Sequence, residues 1–251
     1  MKKRITVAYF SPTGGTRRAA LALAKGLGEE VTELDLSLLK KAPDFGEDDL
    51  MVIAGPVFVG RLPAVLVDTL NTLQGNGAMA VTAAVYGNRD IDDALLEFND
   101  TVGKNGFRVV ASAALVAQHS LVPDVAAGRP DEADCVQLES YGKRVLEKLA
   151  NGGGEVTVPG NPDYRPLVDM GVTPMATEAC GGCGKCAESC PTKAIPADDP
   201  KTTDPGKCIL CMRCVNICPN KARVLPPPAA ARFEHNLSPL KSIHRENELF
   251  L

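Results

Sequence analysis

Eight of the chain's nine cysteines fall into two copies of one spacing, Cys180-x2-Cys183-x2-Cys186-x3-Cys190-Pro191 and Cys208-x2-Cys211-x2-Cys214-x3-Cys218-Pro219. Three thiolates two residues apart wrap one corner of an iron–sulfur cube, and the proline after the fourth cysteine aims that ligand elsewhere. Disulfides belong to oxidising compartments, and a zinc ribbon uses two separated Cys-x2-Cys pairs with no need for a third and fourth cysteine followed by proline. Iron–sulfur ligation, and with it one-electron chemistry, therefore fits the duplicated run better than either. Cys135 stands outside both runs and reads as a small buried apolar residue.

Residues 179–225 resemble a two-cluster bacterial ferredoxin over their whole length. In that family the fourth cysteine of each run ligates the other cluster. The resemblance implies one [4Fe–4S] centre on Cys180, Cys183, Cys186 and Cys218, and a second on Cys208, Cys211, Cys214 and Cys190. Between Cys180 and Leu225 stand seven Lys/Arg and four Asp/Glu. That positive excess either offsets the negative charge of thiolate-bound clusters or forms ordinary solvated surface.

Upstream, apolar strand-like runs alternate with amphipathic runs. Residues 5–10, 31–36, 50–54, 78–85 and 108–116 read as five strands, mostly continuous and apolar as buried parallel strands are. Residues 16–26, 63–73, 91–104 and 131–149 read as helices, with an irregular crossover at 38–47 that contains Pro43 and Gly46. Five parallel strands with helices on both faces make a doubly wound α/β domain, whose ligand crevice lies at the carboxyl ends of the strands.

The loops at those ends carry the next chemistry. Ser11-Pro12-Thr13-Gly14-Gly15-Thr16 runs from the first strand into a helix. Free N–H groups, three hydroxyls and glycines that permit close approach suit a phosphate dianion. The loop lacks both the Gly-Lys-Ser/Thr of a P-loop and the three-glycine dinucleotide fingerprint. It resembles the phosphate loop of flavodoxins, which hold FMN. The same resemblance places Pro56-Val57-Phe58-Val59-Gly60-Arg61 over one face of the flavin ring with Phe58 stacking. It also places Tyr86-Gly87-Asn88-Arg89 over the other face, with Tyr86 as the second covering residue and Asn88 and Arg89 toward the pyrimidine side. His119, after the fifth strand, is either a proton donor at the flavin edge or a cap for loop backbone.

Phe10 to Thr16, Gly55 to Pro63, Tyr86 to Arg89, Gly128 to Asp131, the twin cysteine runs and the ending Glu246-Asn247-Glu248-Leu249-Phe250 together resemble flavodoxin–ferredoxin fusion proteins of anaerobes. The likeness covers nearly the whole chain and implies one FMN and two [4Fe–4S] clusters. It divides the chain into a flavodoxin-like FMN-binding domain at 1–150, a Pro/Gly-rich linker at 151–178, a smaller α+β ferredoxin domain at 179–225 and a C-terminal docking tail at 226–251. In the tail, Phe233, Leu237, Leu240, Ile243, Leu249, Phe250 and Leu251 form an apolar strip. The chain has no tryptophan, so Phe58 would stand where flavodoxins usually place an indole.

A net charge of −4 and a pI near 5.5 argue against nucleic acid as the main partner. The basic start Met1-Lys2-Lys3-Arg4 precedes only six apolar residues, too few for a secretory signal, and no apolar run is long enough to span a bilayer. The expected setting is a reducing cytoplasm. The expected function is electron transfer between the clusters, the FMN and a redox partner protein; the alternative is an FMN-dependent reductase of a small organic substrate fed by its own ferredoxin domain.

Overall fold

The computed structural model describes residues 3–251. Met1 and Lys2, half of the basic start, lie outside them. Strands β1 (Arg4–Tyr9), β2 (Val31–Asp35), β3 (Asp49–Pro56), β4 (Met79–Tyr86) and β5 (Arg108–Val116) pair in parallel in the order β2-β1-β3-β4-β5. Helices α1 (Gly15–Lys25), α2 (Ala64–Leu70) and α3 (Ala94–Lys104) connect them, α4 (Glu132–Ala150) follows β5, and no helix forms between β2 and β3. That order is the flavodoxin-like doubly wound arrangement, with its switch point between β1 and β3.

Both faces of the sheet are apolar because successive strand residues point to opposite sides. Val7, Val52, Val81 and Ala113 pack toward Leu23 of α1 and Leu138 of α4. Ala8, Ile53 and Ala80 pack toward Leu66 of α2 and Phe98 of α3. On the first face α1 and α4 approach so closely that a Cβ on Gly26 would lie 2.0 Å from the Glu139 carbonyl oxygen, and one on Gly142 2.3 Å from that of Leu23. Only glycine fits either position.

After α4 the chain crosses α3 as a strap with little core of its own. Asp93 accepts hydrogen bonds from the Asn161 and Arg165 amides at 2.9 and 2.8 Å. These bonds hold its carboxyl below the usual carboxylate range. Tyr164 bonds Asp100 and lies under the Arg61 guanidinium. The ferredoxin-type domain follows: β6 (Met175–Ala176) pairs antiparallel with β7 (Arg223–Val224), enclosing the one-turn helices α5 (Lys185–Glu188) and α6 (Arg213–Asn216).

The tail docks, and it does so by re-entering the first sheet. Helix α7 (Pro227–Leu237) packs Phe233 against Val122 and Val125 after β5, and a 3-10 turn (Ser238–Ser242) leads on to β8 (Glu248–Phe250). Strand β8 pairs antiparallel with β5 as a sixth strand. Asn247, 4% exposed, anchors it. Its Oδ1 accepts from the Val116 amide at 2.8 Å, while Nδ2 donates to Asp134 at 2.9 Å and Gln137 at 2.7 Å. Of the apolar strip read from sequence, Ile243 remains exposed where the chain runs from the 3-10 turn toward the sheet edge, and Leu251 remains exposed after β8.

Candidate functional site

The two cysteine runs fold into two cages. Cys180, Cys183, Cys186 and Cys218 line one cavity, and Cys190, Cys208, Cys211 and Cys214 line the other. The fourth cysteine of each run thus turns into the neighbouring cage. Among the described residues no three Cys, His, Asp or Glu side chains converge tightly enough to share a single ion. The thiols stand instead around the walls of wider spaces. Cys186 and Cys214 pack together with Ile195, so the cages share a wall.

The duplication extends to the backbone. Cys190 Sγ accepts from the Ala194 amide and Cys218 Sγ from the Ala222 amide, both at 3.2 Å. Gly182 and Gly184 have positive φ, and so do their counterparts Leu210 (52°) and Met212 (62°). A bulky residue in that region is strained. Burial pushes the Cys211 thiol up to about 12 and the Cys214 thiol up to about 11. Thiolates form in such a place only when a bound cation compensates them, which is what iron would do.

The two rims meet different surroundings. Around the first cage Gly181, Gly182 and Cys183 are exposed to solvent. Around the second, the corresponding loop lies on the α/β domain. Ile209 packs on the cluster containing Phe10 and Leu36. Leu210 packs with Val122, Val125 and Phe233. Arg213 reaches Ser37 Oγ at 2.6 Å and Asp35 at 3.4 Å, at the carboxyl end of β2. Loop 209–213 therefore runs across the carboxyl ends of the strands, beside the β1/β3 switch point. Sequence reasoning missed this docking, although Ile209-Leu210 in place of Gly181-Gly182 was a visible signal.

At that switch point Gly14 caps α1 with φ +96° and no side-chain cap, and the first turn holds no acidic residue. Arg17 N donates to Ser11 Oγ at 2.9 Å, and Arg18 N to the Gly14 carbonyl. The amides of Gly15 and Thr16 are left for an outside acceptor. Ser11 and Pro12 are buried, Thr16 is buried, and Thr13 is half-buried. This cradle fits a phosphate. Pro56 ends β3, and Val57 N donates to the Val85 carbonyl. Phe58 and Arg61 then exchange backbone hydrogen bonds across a two-residue turn, with Val59 at φ 52° and Gly60 at φ 82°. A β-branched residue at positive φ on an exposed turn tip is an outlier of the kind that gathers at ligand clamps.

Several flavin-loop residues are otherwise engaged. Arg61, 13% exposed, forms a two-toothed pair with buried Glu97, which also accepts from the Leu62 amide. Its side chain fixes the loop from behind, leaving only backbone groups to face the crevice. Tyr86 is buried at 6% with Ile91, Leu95 and Val116, beside Phe250. It packs in the core beneath β8 rather than opening as a covering ring. Asn88 donates to the carbonyls of Leu240 and Ile243 at 3.1 and 2.8 Å, leaving Oδ1 buried without a partner. Arg89 pairs with Asp92, and its carbonyl accepts from Arg245. The returning tail takes the bonds that the sequence reading gave to the pyrimidine side. Gly87 lies against the His119 ring. His119 Nδ1 accepts from the Leu121 amide, so the ring does the capping. Burial and the nearby Arg89 charge push it down to about 4, so it is neutral near pH 7. Cys135 lies in α4, half-buried and outside both cages.

The 4Fe-4S dicluster domain family matches residues 179–222. Solved structures similar to the chain include a flavodoxin of Streptococcus pneumonia TIGR4 (20% identity, 57% of this chain and 98% of that one, TM-score 0.44). Oxidised flavodoxin 1 of Bacillus cereus is similar at 14% identity (58% and 98%, TM-score 0.41). The flavodiiron core Flv1 of Synechocystis is similar at 15% identity (60% and 37%, TM-score 0.41). No curated protein matches the chain significantly, and among the described residues no helix is long and apolar enough to cross a membrane. Strand order and cysteine cages together define a domain of flavodoxin-like fold joined to a ferredoxin-type domain of the 4Fe-4S dicluster kind.

Proposed function

We propose that the chain is an electron-transfer protein that holds two [4Fe–4S] clusters in its cysteine cages and FMN at the β1/β3 switch point, and that it serves a redox partner protein. The observation that carries the reading is loop 209–213, which brings the rim of the second cage onto the crevice side of the α/β domain. When bound, the clusters supply one-electron steps and FMN supplies one- or two-electron chemistry. The residues do the rest. Gly15, Thr16 and the hydroxyl of Thr13 hold the phosphate, and Phe58 and the 57–61 backbone border the ring. Ile209, Leu210 and Arg213 keep the second cage against the crevice and exclude water from the gap. The first cage, with Cys183 exposed, faces outward and offers its rim to a protein partner. The reductase alternative has no observation in its favour, since loop 209–213 and the tail around Leu240 to Arg245 cover flanks by which a small substrate would approach.

Anaerobically purified protein is expected to carry FMN and about eight iron atoms per chain. Thr13→Leu should lower FMN content and leave iron unchanged. A colourless, zinc-containing protein would refute the cluster assignment, and equal loss of flavin and iron in the variant would refute separate sites. Rapid turnover of small acceptors without any partner protein would reject the carrier reading in favour of the reductase.

A further inference from the structure

The two halves of the ferredoxin-type domain repeat each other closely after their fourth cysteine and differ there in one buried charge. After Cys190 the chain reads Pro191-Thr192-Lys193-Ala194-Ile195, and after Cys218 it reads Pro219-Asn220-Lys221-Ala222-Arg223. Lys193 and Lys221 share positive φ, and the two alanine amides share the Sγ bond. Ile195 is 4% exposed and lines the second cavity; Arg223 is 1% exposed and lines the first. Where one repeat has an apolar side chain, the other buries a full positive charge.

An arginine in that position is costly unless something negative faces it. Its Nη1 donates to the Lys201 carbonyl and Nη2 to the Thr202 carbonyl, both at 3.2 Å, and Nη2 also meets Thr203 Oγ1 at 3.0 Å. All three acceptors are neutral, and among the described residues no carboxylate pairs with it. Nε is buried without any protein acceptor. The acceptor loop itself runs between the cages, with Pro200 on the first and Thr203 on the second. The other cage-lining arginine, Arg213, is compensated by Asp35 and Ser37. Of these two cage-lining arginines, Arg223 has no carboxylate partner among the described residues.

We infer that Arg223 is the internal counter-charge of the cluster pair: its guanidinium stabilises the reduced clusters, and its buried, unpartnered Nε is a donor kept for them. The inference rests on the cluster reading above. Net charge and hydrogen bonds to sulfur are the protein's principal means of setting a cluster potential. The isoleucine in the twin repeat supplies neither, so the two clusters are electrically inequivalent.

The test is an anaerobic potential titration, followed by the electron paramagnetic resonance of the reduced clusters, on the full chain and on Arg223→Ile, Arg223→Gln and Arg223→Lys. Arg223→Ile, which restores the repeat, should keep its iron and lower at least one midpoint by a tenfold shift in the reduced-to-oxidised ratio, ~59 mV for one electron. Arg223→Gln should shift the same way, while Arg223→Lys, which keeps the charge, should shift less. Unchanged midpoints with full iron overturn the inference. So do equal shifts in the glutamine and lysine variants, or loss of iron in all three, which would make the arginine structural only. Wild-type protein without clusters would instead overturn the underlying assignment.

Discussion

Replacing Arg213 by methionine removes the polar half of the contact between the second cage and the α/β domain while keeping an unbranched stem in the interface. The side chain is 12% exposed and donates to Ser37 Oγ at 2.6 Å; its contact with Asp35, 24% exposed, is longer at 3.4 Å. A hydrogen bond from a charged donor contributes about 1.5–3 kcal/mol, and a part-exposed ion pair adds about 0–1 kcal/mol. Asp35 keeps its bonds from the Ser37 amide and hydroxyl, so the substitution orphans no carboxylate. The expected loss is therefore near the lower end, about 2 kcal/mol, or roughly 30-fold in the ratio of docked to undocked domains. Ile209 and Leu210 remain to hold part of the contact. Hydrogen exchange should quicken at residues 35–38 and 209–213, iron content should stay constant, and bleaching of flavin absorbance after a one-electron donor is added should slow. Unaltered exchange in both segments would refute the docking role, and unaltered bleaching with faster exchange would show that the contact does not govern electron passage.

Asn247→Ala should leave the Val116 amide unpaired and remove donors from Asp134 and Gln137. At about 1–3 kcal/mol per buried group left unsatisfied, a loss of about 3 kcal/mol and a fall in Tm of roughly 6–12 °C are expected by calorimetry, with β8 losing exchange protection. Acid should act at the same place. Burial alone would raise the Asp134 carboxyl, but the Arg129 guanidinium, the Asp131 amide and Asn247 outweigh it and hold the group at about 2. A depressed carboxyl stabilises the fold fully above its ordinary value near 4, and the contribution disappears as pH falls through 2. About 1–2 kcal/mol should be lost between pH 4 and 2 in denaturant titrations, and Asp134→Asn should flatten that limb.

The sheet was legible because five apolar runs and the amphipathic stretches between them leave few arrangements other than a doubly wound one. The irregular crossover was legible from Pro43 and Gly46. The cages were legible because ligand chemistry fixes cysteine spacing more tightly than packing fixes any apolar residue. The loops expected to hold flavin were legible only where their conformation is local. Loop 11–16 depends on its own backbone, and it forms the strand-to-helix turn expected from its glycines. Tyr86, Asn88 and Arg89 depend on a segment that lies far along the chain, and three residues, Glu248 to Phe250, carry no strand signal without β5 beside them. Leu210 and Met212 likewise occupy conformations that favour glycine, and only the glycines of the first repeat disclose this.

Because β8 belongs to the first sheet, the iron–sulfur module is tethered at both ends to one rigid body, as a long excursion between α4 and β8. A second tether confines the module's search volume far more than a single leash would, while the entropy of closing such a loop grows only slowly with its length. On the proposed function, exchange between the second cage and the crevice would be a first-order event inside one molecule, indifferent to dilution. Severing the chain between α7 and β8 would leave one leash, and the effective concentration of the module at the crevice would fall while the event stayed within one molecule.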